Sequence, residues 1–223
     1  MKSATIRGLA GPIPIQKIIC LGQNYAEHAK ELKFEVPKSP VIFLKPASAV
    51  IYQGEQIIMP SISRDVHHEV ELTVLIGKGG KNIPRESALQ HVAGYGIGLD
   101  ITMRDVQFEA KQKGLPWSLA KGFDTAAPLS EFLEPSSTGD PSSLSIELKI
   151  NGITKQSSGT NKLIFPVDVI ISYISQSMTL ERGDIIFTGT PEGVSQINHG
   201  DKLEGNLIHA NRNILTSLSV SVK

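Results

Sequence analysis

His67-His68-Glu69-Val70-Glu71-Leu72-Thr73-Val74-Leu75-Ile76-Gly77 has the residue types and alternation of a β-strand that stops at a glycine. Side chains alternate across a strand. His68, Val70, Leu72, Val74 and Ile76 therefore share a mostly apolar face suited to a core, and His67, Glu69, Glu71 and Thr73 share the other. Glutamates at i and i+2 stand about 7 Å apart. At an effective dielectric of ~20 their repulsion is on the order of 2–3 kcal/mol, and it grows where water is excluded. Three arrangements relieve it: an exposed edge strand with both carboxylates solvated, a proton on one of them, or a cation between them.

Outward from this stretch, Ala93-Gly94-Tyr95-Gly96-Ile97-Gly98-Leu99-Asp100 reads as a buried, glycine-rich strand that ends in a third acid. Three carboxylates with no thiolate favour a hard, oxygen-preferring ion, Mg2+ or Mn2+ ahead of Zn2+. Coordination positions would remain for water or substrate. His67, on the glutamate face, is a candidate ligand or a support for one.

Frequent glycine and proline separated by short β-branched runs predict many strands and few helices, an α+β fold that is mainly β. The clearest hairpin runs from Leu144 to Gln156 around Asn151-Gly152, a type I′ dipeptide. The Ser/Pro/Gly-rich stretch 134–143 before it reads as a surface loop. Helices are expected at about 24–33, where Asn24 and Glu27 have capping-box spacing, and at about 102–113, where Thr102 and Asp105 repeat it. A third, at about 166–178, opens on Pro166 and places Val167, Ile170, Ile171, Ile174 and Met178 on one stripe.

The chain of 223 residues suits one domain, with 1–16 as an N-terminal extension. Lys+Arg and Asp+Glu both number 22, so no basic footprint marks a nucleic-acid or anionic-membrane partner. No apolar run reaches ~18 residues and no signal-like apolar region opens the chain. The single cysteine, Cys20, lies in an apolar run and reads as a small buried residue. A cytoplasmic protein is expected. No dinucleotide, Walker or nucleophile-elbow motif occurs.

The motifs taken in order resemble the fumarylacetoacetate hydrolase family. They are Gly22-Gln23-Asn24-Tyr25-Ala26-Glu27-His28, Phe43-Leu44-Lys45-Pro46, His68-Glu69-Val70-Glu71-Leu72, and Gly98-Leu99-Asp100-Ile101-Thr102-Met103-Arg104-Asp105-Val106-Gln107. Lys121-Gly122-Phe123-Asp124 and Thr188-Gly189-Thr190-Pro191-Glu192-Gly193-Val194 complete the set, which spans about 17–207. The likeness is to the short single-domain members, which include acylpyruvate hydrolases and oxaloacetate decarboxylases or tautomerases.

That resemblance implies a mixed β-roll or sandwich with short flanking helices, assembled as a homodimer. It implies Glu69, Glu71 and Asp100 as metal ligands and residues 24–34 as a lid helix. On that helix His28 would be a general base oriented by Glu31, three residues on and on the same face. Lys121 would be a cation beside a developing enolate. Arg104 and Gln107, one helical turn apart, would grip a carboxylate and an oxo group. Asn24, Lys45, Gly189 and Thr190 complete the expected substrate-binding set, Thr190 through its backbone N–H or its hydroxyl. The implied reaction is metal-dependent C–C hydrolysis of a small acylpyruvate through pyruvate enolate. Oxaloacetate decarboxylation or tautomerisation and 2-hydroxyhepta-2,4-diene-1,7-dioate isomerisation are alternatives on the same site. A non-catalytic metal-binding member is the alternative of another class.

Overall fold

The structure, a computed structural model, describes residues 1–31 and 36–223. In chain order its principal strands are β1 (Ile18–Gly22), β2 (Val41–Lys45), β3 (Gln56–Ile57), β4 (Val70–Ile76) and β5 (Val92–Leu99). They continue with β6 (Ser145–Ile150), β7 (Ile153–Gly159), β8 (Ile185–Phe187), β9 (Lys202–Ile208) and β10 (Ile214–Val222). Helices α1 (Ala26–Glu31), α2 (Arg104–Gln112), α3 (Ser118–Lys121) and α4 (Val167–Ser177) flank them.

Two five-stranded mixed sheets form. The first has the order β2-β1-β8-β4-β5 and the second β7-β6-β9-β10-β3. In the first, β8 runs parallel to β1 and antiparallel to β4. The second sheet lies against β4 and β5. A methyl carbon added at Gly205 of β9 would stand 3.5 Å from Ile97 Cγ1, with Val70 and Leu99 next to it. One cluster of buried apolar side chains joins both sheets and α4. This is the mainly-β, mixed-sheet architecture expected from the sequence.

β4 is an interior strand, and all seven of its residues are buried. The solvated edge strand, one of three ways to relieve the glutamate pair, is therefore excluded. Its neighbour β5 explains the repeated glycines. Gly98 lies directly across from Glu71, and a methyl there would meet Phe187 Cε1 and Thr73 Cγ2 at 2.7 Å. Gly98→Ala is expected to cost about 1–3 kcal/mol by overpacking. Urea denaturation should move to a lower midpoint, and an unmoved midpoint would contradict this packing.

The β6–β7 hairpin turns at Asn151 and Gly152, with φ of 52° and 81°, as a type I′ turn needs. α4 buries Val167, Ile170, Ile171 and Ile174 as the periodicity predicts. Cys20 is fully buried, and burial above all pushes its thiol well above its ordinary pKa. Residues 1–16 fold back on themselves, Ser3–Ala4 pairing with Ile13–Pro14.

Three local expectations need correction. Thr102 does not cap α2: Thr102–Met103 pairs with Val66–His67 as a short ladder, and α2 begins at Arg104 after Met103, while Asp105 within the first turn accepts the Val106 N–H at 2.9 Å. Asn24 does not cap α1, because its side chain reaches across to Phe165 and Thr188. The stretch 134–143 lies at the surface as expected but is not a plain loop. It winds into Pro135–Thr138 and Pro141–Ser143, burying Thr138 and Pro141. The expected end of the first helix, residues 32–34, lies outside the described residues.

Candidate active site

The antiparallel register of β4 and β5 assembles the carboxylates. Glu69 and Glu71 alternate with Val70 on one strand, and Asp100 follows the end of the other. The Asp100 N–H donates to the Glu69 carbonyl at 2.8 Å. Ligand oxygens of Glu69, Glu71 and Asp100 all lie within 4.8 Å of one another, and the three residues are 6%, 1% and 0% exposed.

Cations surround two of the three. From the C-terminal end of α3, Lys121 Nζ donates to Glu69 Oε2 and Asp100 Oδ2 at 2.7 Å each, and to Thr102 Oγ1 at 2.6 Å. Arg104 donates through Nη2 to Glu69 Oε1 and through Nη1 to Gln107 Oε1 at 2.7 Å. That second bond leaves the Gln107 amide hydrogens for another acceptor. Burial works to raise Glu69, but Lys121, Arg104 and His28 outweigh it and hold the carboxyl well below its ordinary range. Lys121 is itself held above its ordinary value, since Asp100 and Glu69 overcome the cost of burying it.

Glu71 has no such cation among the described residues. Its Oε2 accepts one backbone N–H, from Gly189 at 2.6 Å. Burial, then Asp100, then Glu69 push its carboxyl well above the ordinary range.

Lys45, buried behind Asp100, lies 2.8 Å from Asp100 Oδ1. Its N–H groups are aimed at the carbonyls of Ile101, Lys121 and Ala126. Asp100 Oδ1 is thereby buried with no hydrogen-bond partner among the described residues. Three converging buried carboxylates, one of them pushed toward its protonated form by burial and by the other two, fit a divalent cation, and every donor in the set is oxygen.

Above the carboxylates lies a cavity shared by His28, Arg104, Gln107, Lys121 and Thr190, with walls from Leu21, Phe43 and Trp117. His28 is 4% exposed. Its Nδ1 stands 3.3 Å from Glu31 Oε2, and Glu31 in turn accepts the Gly193 N–H at 3.2 Å. The helix carrying His28 is thus fastened to the loop after β8. Gly189 needs its φ of +99°, and a methyl there would strike Asn24 Cβ at 2.7 Å.

The structure separates the expected substrate-binding residues into two groups. Arg104, Gln107 and Thr190 line the cavity. Asn24 is fully buried and committed to backbone: its amide donates to Phe165 O and Thr188 O, and its oxygen accepts the Phe165 N–H. Asn24 and Lys45 therefore brace the walls. His67 turns aside to Asp65, 2.7 Å from Nε2, and is not part of the carboxylate cluster.

Sequence reasoning passed over two side chains here. Thr102 steadies Lys121, and nothing in the local pattern marks it. Lys111 lines the cavity with Nζ 4.9 Å from the Trp117 ring centroid. Burial first, and Arg104 next, bring its pKa down to about 8. Its signal was present: 104, 107 and 111 fall on one helical stripe. A larger groove of ≈ 490 Å³ beside Tyr52 and Phe132 lies apart from the carboxylates.

Comparison with known proteins identifies the family. Residues 17–217 match the fumarylacetoacetate (FAA) hydrolase C-terminal family. The chain belongs to that family and is an enzyme of it. It is 47% identical over 192 residues to oxaloacetate tautomerase FAHD1, mitochondrial, of Mus musculus, covering 86% of this chain and 87% of the relative. Fumarylpyruvate hydrolase from Pseudomonas aeruginosa, solved in complex with Mn2+ and pyruvate, superposes with a TM-score of 0.92. It is 38% identical, with 99% of this chain and 95% of that one covered. 2-Hydroxyhepta-2,4-diene-1,7-dioate isomerase from Mycobacterium marinum follows at TM-score 0.81 and 36% identity, covering 95% and 75%.

Proposed function

We propose that the chain is a single catalytic domain that hydrolyses a C–C bond in a small acylpyruvate-type 2,4-dioxo acid by way of pyruvate enolate. The observation that carries this reading is the His28–Glu31 pair held over three converging carboxylates. Glu69, Glu71 and Asp100 would hold Mg2+ or Mn2+, which supplies Lewis acidity toward the 2-oxo acid oxygens and offsets enolate charge. Arg104 binds the substrate carboxylate, with the Gln107 amide donating to the neighbouring oxo group. Lys121 sets a fixed positive charge beside the enolate oxygen. His28, oriented by Glu31, takes a proton from the attacking water and later returns it to the enolate carbon.

The second reading is keto–enol tautomerisation of oxaloacetate, favoured by the 47% identity to the mouse enzyme. The same His28 would move the proton, with no water consumed. The discriminating experiment is a panel of acetylpyruvate, fumarylpyruvate and oxaloacetate, following pyruvate, CO2 and enol–keto exchange separately with Mg2+ or Mn2+ and after EDTA. Hydrolysis of an acylpyruvate as the fastest outcome is expected. Enol–keto exchange alone favours the second reading, and no metal-dependent turnover favours a binding protein.

The working unit in this reading is a homodimer in the cytosol. Leu44 and Leu119, 48% and 71% exposed, form apolar surface near the open edge of β2 that a second copy would cover. Light scattering that gives the single-chain mass of 24.1 kDa would refute the dimer.

A further inference from the structure

We propose that Gln156 is a positioning residue that holds the Thr190 backbone N–H against the substrate carboxylate, by fastening the 189–191 loop to the metal-ligand strand. The substrate part of this rests on the function proposed above.

β8 ends at Phe187, opposite Thr73, so it does not reach Val70 at the start of β4. Two side chains stand in for the missing strand there. Gln156 Oε1 accepts the Val70 N–H at 3.0 Å, and Thr190 Oγ1 donates to the Val70 carbonyl at 2.9 Å. Val70 lies between Glu69 and Glu71, on backbone that its pairing with Leu99 already holds in the β4–β5 ladder, so these bonds seat the loop on the strand rather than space the ligands.

The same amide ties the loop to the strand. Gln156 Nε2 donates to Thr190 Oγ1 and to the Pro191 carbonyl, both at 2.8 Å. Its orientation is forced, because a backbone N–H can only donate and the atom facing Val70 must be oxygen. His68 Nδ1, 3.0 Å from that oxygen, therefore carries the proton, and Nε2 accepts from Ser195 Oγ at 2.9 Å. Every hydrogen-bonding position of the Gln156 amide is used, and the residue is 1% exposed.

The bonds also decide what Thr190 can offer a ligand. Its hydroxyl proton goes to Val70 and a lone pair to Gln156, leaving the backbone N–H as the donor for a carboxylate. A β-bulge sets up the arrangement. Leu148 pairs with Gln156 but Lys149 pairs with Thr154, so Lys155 is the extra residue, and bulges re-aim the side chain that follows. The loop returns to this bulge, for a methyl on Gly193 would meet the Lys155 carbonyl at 2.2 Å.

The test compares Gln156→Met, Gln156→Glu, Thr190→Val and the double variant Q156M/T190V, each loaded with Mn2+. Mn2+ affinity by calorimetry is expected to stay within about threefold of wild type, since the carboxylates are untouched. Affinity for oxalate should fall by roughly tenfold or more, and KM should rise likewise with kcat nearly constant, about the loss of one hydrogen bond to a charged group. Q156M/T190V should lose no more than the worse single variant, because both break one link. Unchanged oxalate affinity in Gln156→Met, or additive losses in the double variant, would overturn the proposal. Should Gln156→Met fail to fold, Gln156→Glu keeps the acceptor and removes the donor, and is read the same way. Where wild type binds Mn2+ yet neither binds oxalate nor turns over substrate, the proposed function is what fails. Gln156 is then judged by amide exchange: faster exchange across 188–193 in the variant supports it, and unchanged exchange refutes it.

Discussion

Glu71→Gln is expected to lower Mn2+ affinity more than ~100-fold, beyond the usual loss on removing a residue that only supports a ligand, and to abolish metal-dependent turnover. Among the described residues, Glu71 is the one carboxylate of the three without a lysine or arginine on it. A dication contributes most there, and the substitution removes the charge that the dication answers. Without metal the sign reverses. Burial, Asp100 and Glu69 raise the folded Glu71 carboxyl above its unfolded value near 4.5, so folding binds its proton more tightly. Stability from this group is complete below pH ~4.5 and is lost as pH rises through the raised value. At pH 7–8, above the unfolded value, the EDTA-treated wild type carries a cost that the glutamine variant lacks. Glu71→Gln in EDTA should therefore be more stable by on the order of 1–3 kcal/mol, some 2–10 °C in Tm, with a flatter dependence on pH above 4.5. Glu69 does not blur this comparison, because its lowered carboxyl titrates below that window. Calorimetric titration with Mn2+ and thermal melts with and without EDTA test both halves. Wild-type Mn2+ affinity in Glu71→Gln would remove the metal centre from the proposal.

His28→Ala is expected to cut acylpyruvate hydrolysis by about 10²–10⁴-fold, the usual contribution of a positioned general base. Mn2+ affinity should hardly move, because His28 is not one of the converging carboxylates. Oxaloacetate decarboxylation should survive within about tenfold, since loss of CO2 needs no activated water. Glu31→Gln should fall between wild type and His28→Ala. It weakens the contact to Nδ1 and the latch to Gly193 but leaves the imidazole. Steady-state kinetics on both substrates separate these effects. Full hydrolysis by His28→Ala would strip the residue of its assigned role.

The core elements were legible because their signals are local. Alternation marked β4, the glycine-rich run marked β5, Asn151-Gly152 marked the hairpin and the apolar stripe marked α4. The carboxylate pair was legible as an electrostatic problem, and burial on both faces of β4 then excluded the solvated solution. Asn24 and Thr102 misled because a short polar side chain near a helix start has the same local signature whether it caps or reaches elsewhere. Their actual partners are Phe165 and Thr188 for Asn24, and Lys121 for Thr102. Gln156 carried no mark at all. Its importance comes from a bulge in one sheet aiming it at a strand in the other, which no local pattern encodes.

The middle strand of the first sheet, β8, lies far beyond both of its neighbours, β1 and β4, in sequence. Ile185 pairs with Ile18 on one side and Leu75 on the other, and without β8 the pairs β1–β2 and β4–β5 share no ladder. The three converging acids all precede residue 101, yet the sheet beneath them closes only when a much later segment arrives. During synthesis the chain through residue 187 must leave the ribosome before that seam can knit. Until then two unfinished half-sheets present open edges, a slow-assembling and aggregation-prone species that would draw on chaperones.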